Sequence, residues 1–221
     1  MSKGNKKRFK IQNYDYSTVK EGFLYTLLKP LGKLIMRLLY KVKYYGRENI
    51  PTEGGFILAS NHIHMIDPLI ISCGIKKRQM HFMAKKELWN NPFVAWAFTK
   101  ANGFPIARGS ADVVALKYAE RIPKEGYILG IFPEGTRSKD GNIGKAKRGI
   151  SAIAFEAKCG ILPVSVYNSD NLKKHTRYTV RYGELIPFEE LGFSDNPTRE
   201  EEQEVADRIM EAIKKLQEEG H

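Results

Sequence analysis

A histidine followed after four residues by an aspartate, in Asn61-His62-Ile63-His64-Met65-Ile66-Asp67, supplies a base and a carboxylate able to orient it. If Asp67 accepts from one imidazole nitrogen, the other is left free to take a proton, and His62 reads as a general base. The same letters have a plainer reading, in which Asp67 caps a helix opened by Pro68 and His62 satisfies a loop carbonyl. A second segment, Phe132-Pro133-Glu134-Gly135-Thr136-Arg137-Ser138, gathers a glycine, a hydroxyl and a guanidinium after an apolar run. Gly135 would let backbone N–H groups approach an anion, and Arg137 would add a bidentate contact to a phosphate. Together the two segments point to chemistry on a hydroxyl of a phosphorylated substrate.

Other chemistries fit less well. His62-x-His64 resembles a paired metal ligand, but the His-x-His-x-Asp-His pattern of metallohydrolases needs an aspartate at position 66, which is Ile, so no metal is expected. Gly141-Asn142-Ile143-Gly144-Lys145-Ala146 has the wrong glycine spacing for a nucleotide phosphate loop and ends in Ala. There is no Gly-x-Ser-x-Gly elbow, and neither Cys73 nor Cys159 has a neighbouring cue for thiol catalysis. Nothing therefore favours a covalent intermediate. Lys145, Lys147 and Arg148 could line the same cleft or face water. A third segment, Gly103-Phe104-Pro105-Ile106-Ala107-Arg108-Gly109, again places Arg and Gly after a short apolar stretch and by itself reads as a connection between a helix and a strand.

These residues need a scaffold, and 221 residues are enough for one domain with its own core. Short apolar runs alternate with helical patterns, which argues an α/β fold. Strands are expected at 56–59, 80–84, 127–132, 161–166 and 178–182, with helices at 67–75, 111–121 and 146–158. His62 then sits where a strand end leads into a helix, the usual rim for reactive groups on an α/β sheet. Thr198-x-x-Glu201 is a capping box opening a last helix, with Val205, Ile209, Ala212, Ile213 and Leu216 on one face.

The formal charge is +11, with a pI near 9.5, so the partner is expected to be anionic. That charge is polarised: basic residues dominate between Lys3 and Glu48, while acids predominate from Glu200 to Glu219. Residues 1–16 are basic without apolar periodicity and read as a mobile arm. From Ser17 to Lys41, leucines recur at helical spacing and Lys29, Lys33, Arg37 and Lys41 form an i+4 row, giving a basic amphipathic helix that Pro30 should kink or split near Lys29. Such a helix could cover the domain's own core or lie on an anionic membrane. The two cysteines read as buried thiols of a reducing compartment, and no secretion signal or run of about 20 apolar residues is present. The expected location is the cytoplasm or the cytoplasmic face of a membrane. The aromatic-lined motifs of a single-strand nucleic-acid module are missing, so nucleic acid is not expected as a partner.

Four segments in this order, Asn61-His62-x4-Asp67, Phe104-Pro105-Ile106-x-Arg108-Gly109, Phe132 to Ser138, and Ile161-Leu162-Pro163-Val164, together resemble the glycerolipid acyltransferase family, most closely its bacterial 1-acyl-sn-glycerol-3-phosphate acyltransferases. The similarity spans roughly residues 44–182 and departs at His64, where many relatives carry a small hydroxyl residue. The resemblance implies a mixed sheet flanked by helices and direct attack of a glycerol hydroxyl, deprotonated by His62, on acyl-CoA or acyl-acyl carrier protein. Under it Asp67 orients His62, and Arg108, Glu134, Gly135, Thr136 and Arg137 form the acceptor site, Glu134 through hydrogen bonds. Pro163 and Val164 would belong to an acyl-chain wall or to the sheet. The implied acceptor is lysophosphatidic acid, with glycerol 3-phosphate, a lyso-aminolipid or a non-catalytic membrane module as alternatives. No cofactor is implied beyond the thioester co-substrate. Residues 1–42 would be a membrane-binding segment and 43–221 the catalytic domain, held peripherally or monotopically on the cytoplasmic face of the cell membrane.

Overall fold

In the computed structural model the described residues are 14–107, 112–138, 141–169 and 177–220. The elements run α1 (Phe23–Tyr40), β1 (Lys43–Tyr45), β2 (Phe56–Ser60), α2 (Asp67–Gly74), β3 (Met80–Lys85), α3 (Pro92–Lys100), β4 (Gly103–Ile106), α4 (Val113–Lys124), β5 (Ile128–Ile131), α5 (Gly149–Ala157), β6 (Ile161–Tyr167), β7 (Thr179–Tyr182) and α6 (Arg199–Glu218). Seven strands form one mixed sheet in the order β1-β7-β6-β2-β5-β3-β4. Only the β6–β7 pair is antiparallel.

Every residue of β2 is buried, as in a parallel strand covered on both faces. Its side chains alternate between two cores. Phe56 and Leu58 meet Ile70, Ile71 and Met36 from α2 and α1, while Ile57 and Ala59 meet Ile150, Ala154, Ile209 and Ile213 from α5 and α6. The α/β architecture read from the sequence is thus a sheet between two helical layers. At the far edge, α3 covers β4 and buries Ala95 beside Trp89.

Several elements differ from the sequence reading. Gly103–Ile106 is a strand, β4, rather than a connection, because it completes the ladder on β3. The strand β1 and the helix α3 carry too few periodic residues to be anticipated. Residues 146–148 lie outside α5, since Lys147 N–H donates to the Pro133 carbonyl at 2.9 Å and the Ala146 carbonyl accepts from Gln203. Residues 1–13 of the expected mobile arm lie outside the described part, but Tyr14 and Tyr16 are packed on Tyr118, and the Tyr16 hydroxyl donates to the Pro105 carbonyl at 2.8 Å. The capping box at Thr198 and Glu201 is present.

The helix α1 is single and runs through Pro30 without dividing in two. Thr26, whose carbonyl loses its i+4 N–H partner at Pro30, is itself exposed, so water can satisfy it. The helix shows three faces. Tyr25 and Met36 are buried against the domain, Lys29, Lys33 and Arg37 form a basic flank, and Phe23, Leu27, Leu31, Leu34 and Leu38 point away from the core. Phe23 is 79% exposed and Leu38 61%. Covering the domain's own core therefore accounts for only one side of the helix.

Candidate active site

Ala59 of β2 pairs with Ile131 of β5, and the two strands run parallel. Asn61-His62 and Phe132-Pro133 therefore leave the sheet side by side at its carboxyl edge, where α/β sheets bind ligands. Asn61 extends that edge with its side chain. Its Nδ2 donates to the Val166 carbonyl at 2.9 Å, and its Oδ1 accepts from Val166 N–H at 2.8 Å. The amide imitates one more rung of ladder and fixes where the chain departs toward His62.

His62 Nδ1 lies 2.9 Å from Asp67 Oδ2. The same carboxylate oxygen accepts the backbone N–H of Ile63 at 2.8 Å and of His64 at 2.7 Å. Asp67 is the first residue of α2 and makes no capping bond into it; its side chain turns back to organise the loop before it. That settles the plainer reading against a cap. A carboxylate receiving Nδ1–H leaves Nε2 as the acceptor nitrogen. The ring is held from its face by Phe132, stacked at 4.0 Å between centroids and 21° between planes. Asp67 is fully buried and the His62 side chain is 12% exposed, so the pair is dry on the aspartate side and open at the histidine.

The Phe132–Ser138 segment closes around the same histidine. Glu134 Oε1 accepts the His62 backbone N–H at 2.9 Å, and its Oε2 accepts Gly144 N–H at 3.1 Å. Ser138 N–H donates to the His62 carbonyl at 2.7 Å. Glu134 is thus a buried brace. Gly135 has φ +70, in the left-handed region, and a Cβ there would come within 2.9 Å of Lys147 Nζ. Its lack of a side chain admits both the turn and the lysine. Thr136 and Arg137 are exposed on the same loop. Arg148 is engaged elsewhere, in an ion pair with Glu202 at 2.6 Å.

Arg108 lies outside the described residues. The strand leading to it, β4, ends on the same edge of the sheet but three strands from β2, about 14 Å at the usual spacing. Pro163 and Val164 are buried in β6, Pro163 in register with Ala59, and so belong to the sheet. Sequence reasoning gave no role to Asn61 or Phe132, although both stand inside the quoted segments. No local signal marks them, because their partners Val166 and His62 lie 105 and 70 residues away by number. Among the described residues no group of three or more His, Cys, Asp or Glu side chains is gathered as a metal ion would require.

Residues 41–167 match the Acyltransferase family. The 1-acyl-sn-glycerol-3-phosphate acyltransferase of Bacillus subtilis is 31% identical over 188 residues, 84% of this chain and 92% of that protein. The enzyme of the same name from Streptococcus pneumoniae is 29% identical over 90% of this chain and 75% of its own length. The crystal structure of the 1-acyl-sn-glycerophosphate (LPA) acyltransferase PlsC from Thermotoga maritima superimposes with a TM-score of 0.66 at 29% identity, covering 86% of this chain and 80% of that one. The family match covers more than half of the chain, and the chain belongs to the Acyltransferase family.

Proposed function

We propose that the protein transfers a fatty acyl chain from an acyl thioester to the sn-2 hydroxyl of 1-acyl-sn-glycerol 3-phosphate, giving phosphatidic acid. The observation that carries this reading is the 2.9 Å contact of His62 with Asp67 inside a loop whose Glu134 and Ser138 hold the histidine's own backbone. The names of the relatives supply the acceptor. His62 Nε2 takes the hydroxyl proton as the oxygen attacks the thioester carbonyl, and Asp67 stabilises the imidazolium that forms. Collapse of the tetrahedral intermediate forms the ester, breaks the C–S bond and expels a thiolate, which the imidazolium reprotonates. Gly135, Thr136 and Arg137, with Arg108, bind the acceptor phosphate, while Glu134 keeps the loop in place. The donor is acyl-CoA or acyl-acyl carrier protein, and neither a metal nor another cofactor takes part.

The acceptor lives in a bilayer, and among the described residues no helix is long and apolar enough to cross one. The free face of α1 supplies the contact instead, with Lys29, Lys33 and Arg37 at the level of anionic headgroups. Gly32 of α1 sits against Leu69 and Cys73 of α2, and Leu69 and Met65, both exposed, follow His62 closely in the chain. The same membrane surface would thus meet the mouth of the site. Residues 1–42 serve as the membrane-binding segment on residues 43–221, peripherally or monotopically on the cytoplasmic face.

The test is thioester consumption with palmitoyl-CoA and with palmitoyl-acyl carrier protein, offered 1-acyl-glycerol 3-phosphate, glycerol 3-phosphate or a lyso-aminolipid in detergent. Transfer only to the lysophosphatidate is expected. Transfer to an acceptor without phosphate would reject the assignment of the loop at Gly135 to Arg137.

A further inference from the structure

At the other end of α2 from the reacting pair, α1 and the turn between α2 and β3 enclose a cleft of about 570 Å³. Lys29, Lys33, Arg47, Lys76, Lys77 and Arg78 line it, and among the described residues Glu21 is the sole carboxylate there. Arg78 is spent on the fold, donating to the carbonyls of Pro51, Glu53, Gly54 and Gly126. Arg47 gives Nε–H to the Gly74 carbonyl at 2.8 Å. Lys29 Nζ rests on the carbonyls of Arg78 at 2.9 Å and Lys76 at 3.4 Å, and over the Tyr25 ring. Burial lowers the pKa of this ammonium to about 8, against the weaker opposing pull of Glu21. Among the described residues Lys33, Lys76 and Lys77 make no ion pair.

The geometry points to a headgroup site for an anionic phospholipid of the bilayer, distinct from the reaction site. Free phosphate and lipid phosphate share the chemistry, and the apolar face of α1 decides between them. Lys33 adjoins Leu34, about 100° around the same helix, so a helix immersed to its leucines carries Lys29 and Lys33 at headgroup depth. The acceptor's own phosphate does not fit the role. The cleft includes Cys73 and Ile75 at the end of α2, about 12 Å along an eight-residue helix from Asp67, too far for a glycerol hydroxyl to reach His62. The inference rests on the membrane reading of α1 and adds to it a defined ligand.

The experiment measures binding of the full chain to phosphatidylcholine vesicles with and without phosphatidylglycerol. The doubly substituted Lys33→Gln, Lys77→Gln protein is compared with Arg37→Gln, Lys43→Gln, which removes equal charge outside the cleft. All four side chains are exposed, so folding should persist, checked by circular dichroism. The cleft pair is expected to lose about tenfold more affinity for the anionic vesicles than the outer pair, because diffuse charge would treat them alike. Millimolar inorganic phosphate should leave that difference standing, and turnover in detergent should be unchanged. Equal losses, abolition of the difference by inorganic phosphate, or a raised KM for acyl-CoA with vesicle binding intact would each overturn the proposal. If the wild type ignores vesicles altogether, the membrane reading fails with it, while transfer in detergent still reports separately on His62.

Discussion

Glu134 holds the backbone N–H of His62 at 2.9 Å, across 72 residues of sequence. The loop assigned to the acceptor phosphate and the loop carrying the base are therefore one mechanical unit, since Ser138 also binds the His62 carbonyl. A substrate that orders Gly135 to Arg137 would act on the base through the same bonds. Glu134 is placed to position His62 rather than to meet an anion it would repel.

Replacing Glu134 by Gln turns one acceptor oxygen into a donor that faces either His62 N–H or Gly144 N–H. Glu134→Gln should lower kcat by about tenfold to a hundredfold with a smaller change in the acceptor KM. A rise in KM alone would place Glu134 on the substrate.

Asn61→Ala should cost stability, because it leaves both the N–H and the carbonyl of buried Val166 without partners. The expected loss is about 2–4 kcal/mol in urea unfolding. A change below about 0.5 kcal/mol would mean that water replaces the amide.

Burial pushes the His81 imidazole from 6.5 down to about 4, and its Nε2 has no partner among the described residues. The unfolded chain then binds the extra proton first, so the contribution to stability is complete above pH 6.5 and is lost as pH falls toward 4. Between pH 7.5 and 5 this group alone should remove about 2 kcal/mol. His81→Leu should flatten that part of the pH profile; an unchanged slope would assign the acid sensitivity to other groups.

The paired changes Leu31→Gln and Leu34→Gln should weaken vesicle binding by about a hundredfold or more, since each leucine gives up about 1.5–3 kcal/mol of burial. Both side chains are free of the core, so the unfolding midpoint should hold. Deleting α1 is a poorer test, because Gly22 N–H at its start donates to Gln79 and Asn102 and the deletion would strip partners from a buried network. Undiminished binding of the leucine variant would remove α1 from the membrane.

The His62–Asp67 pair was legible because both partners stand within one turn of chain, and the central strands because fully buried parallel strands are written as short apolar runs. The capping box was legible for the same local reason. Periodicity also found α1, but it could not say which side of that helix meets the domain. That depends on Tyr25 and Met36, whose packing is set by α2 and β3. The ladder made by Asn61, the stacking of Phe132 and the anchoring of Tyr16 on Pro105 were not legible, since each joins residues far apart in the chain. A four-residue strand such as β4 exists only because β3 offers it a ladder.

The central claim is that His62, oriented by Asp67, removes the proton from the acceptor hydroxyl. Asp67→Asn keeps an oxygen for the loop N–H groups but no charge for the imidazolium, and should cost about 10²–10⁴ in kcat. The most direct measurement is palmitoyl-thioester consumption with 1-acyl-glycerol 3-phosphate by the wild type beside His62→Ala, with folding checked by circular dichroism. The account predicts transfer by the wild type and none above background by the variant. Near-normal turnover by folded His62→Ala would contradict it.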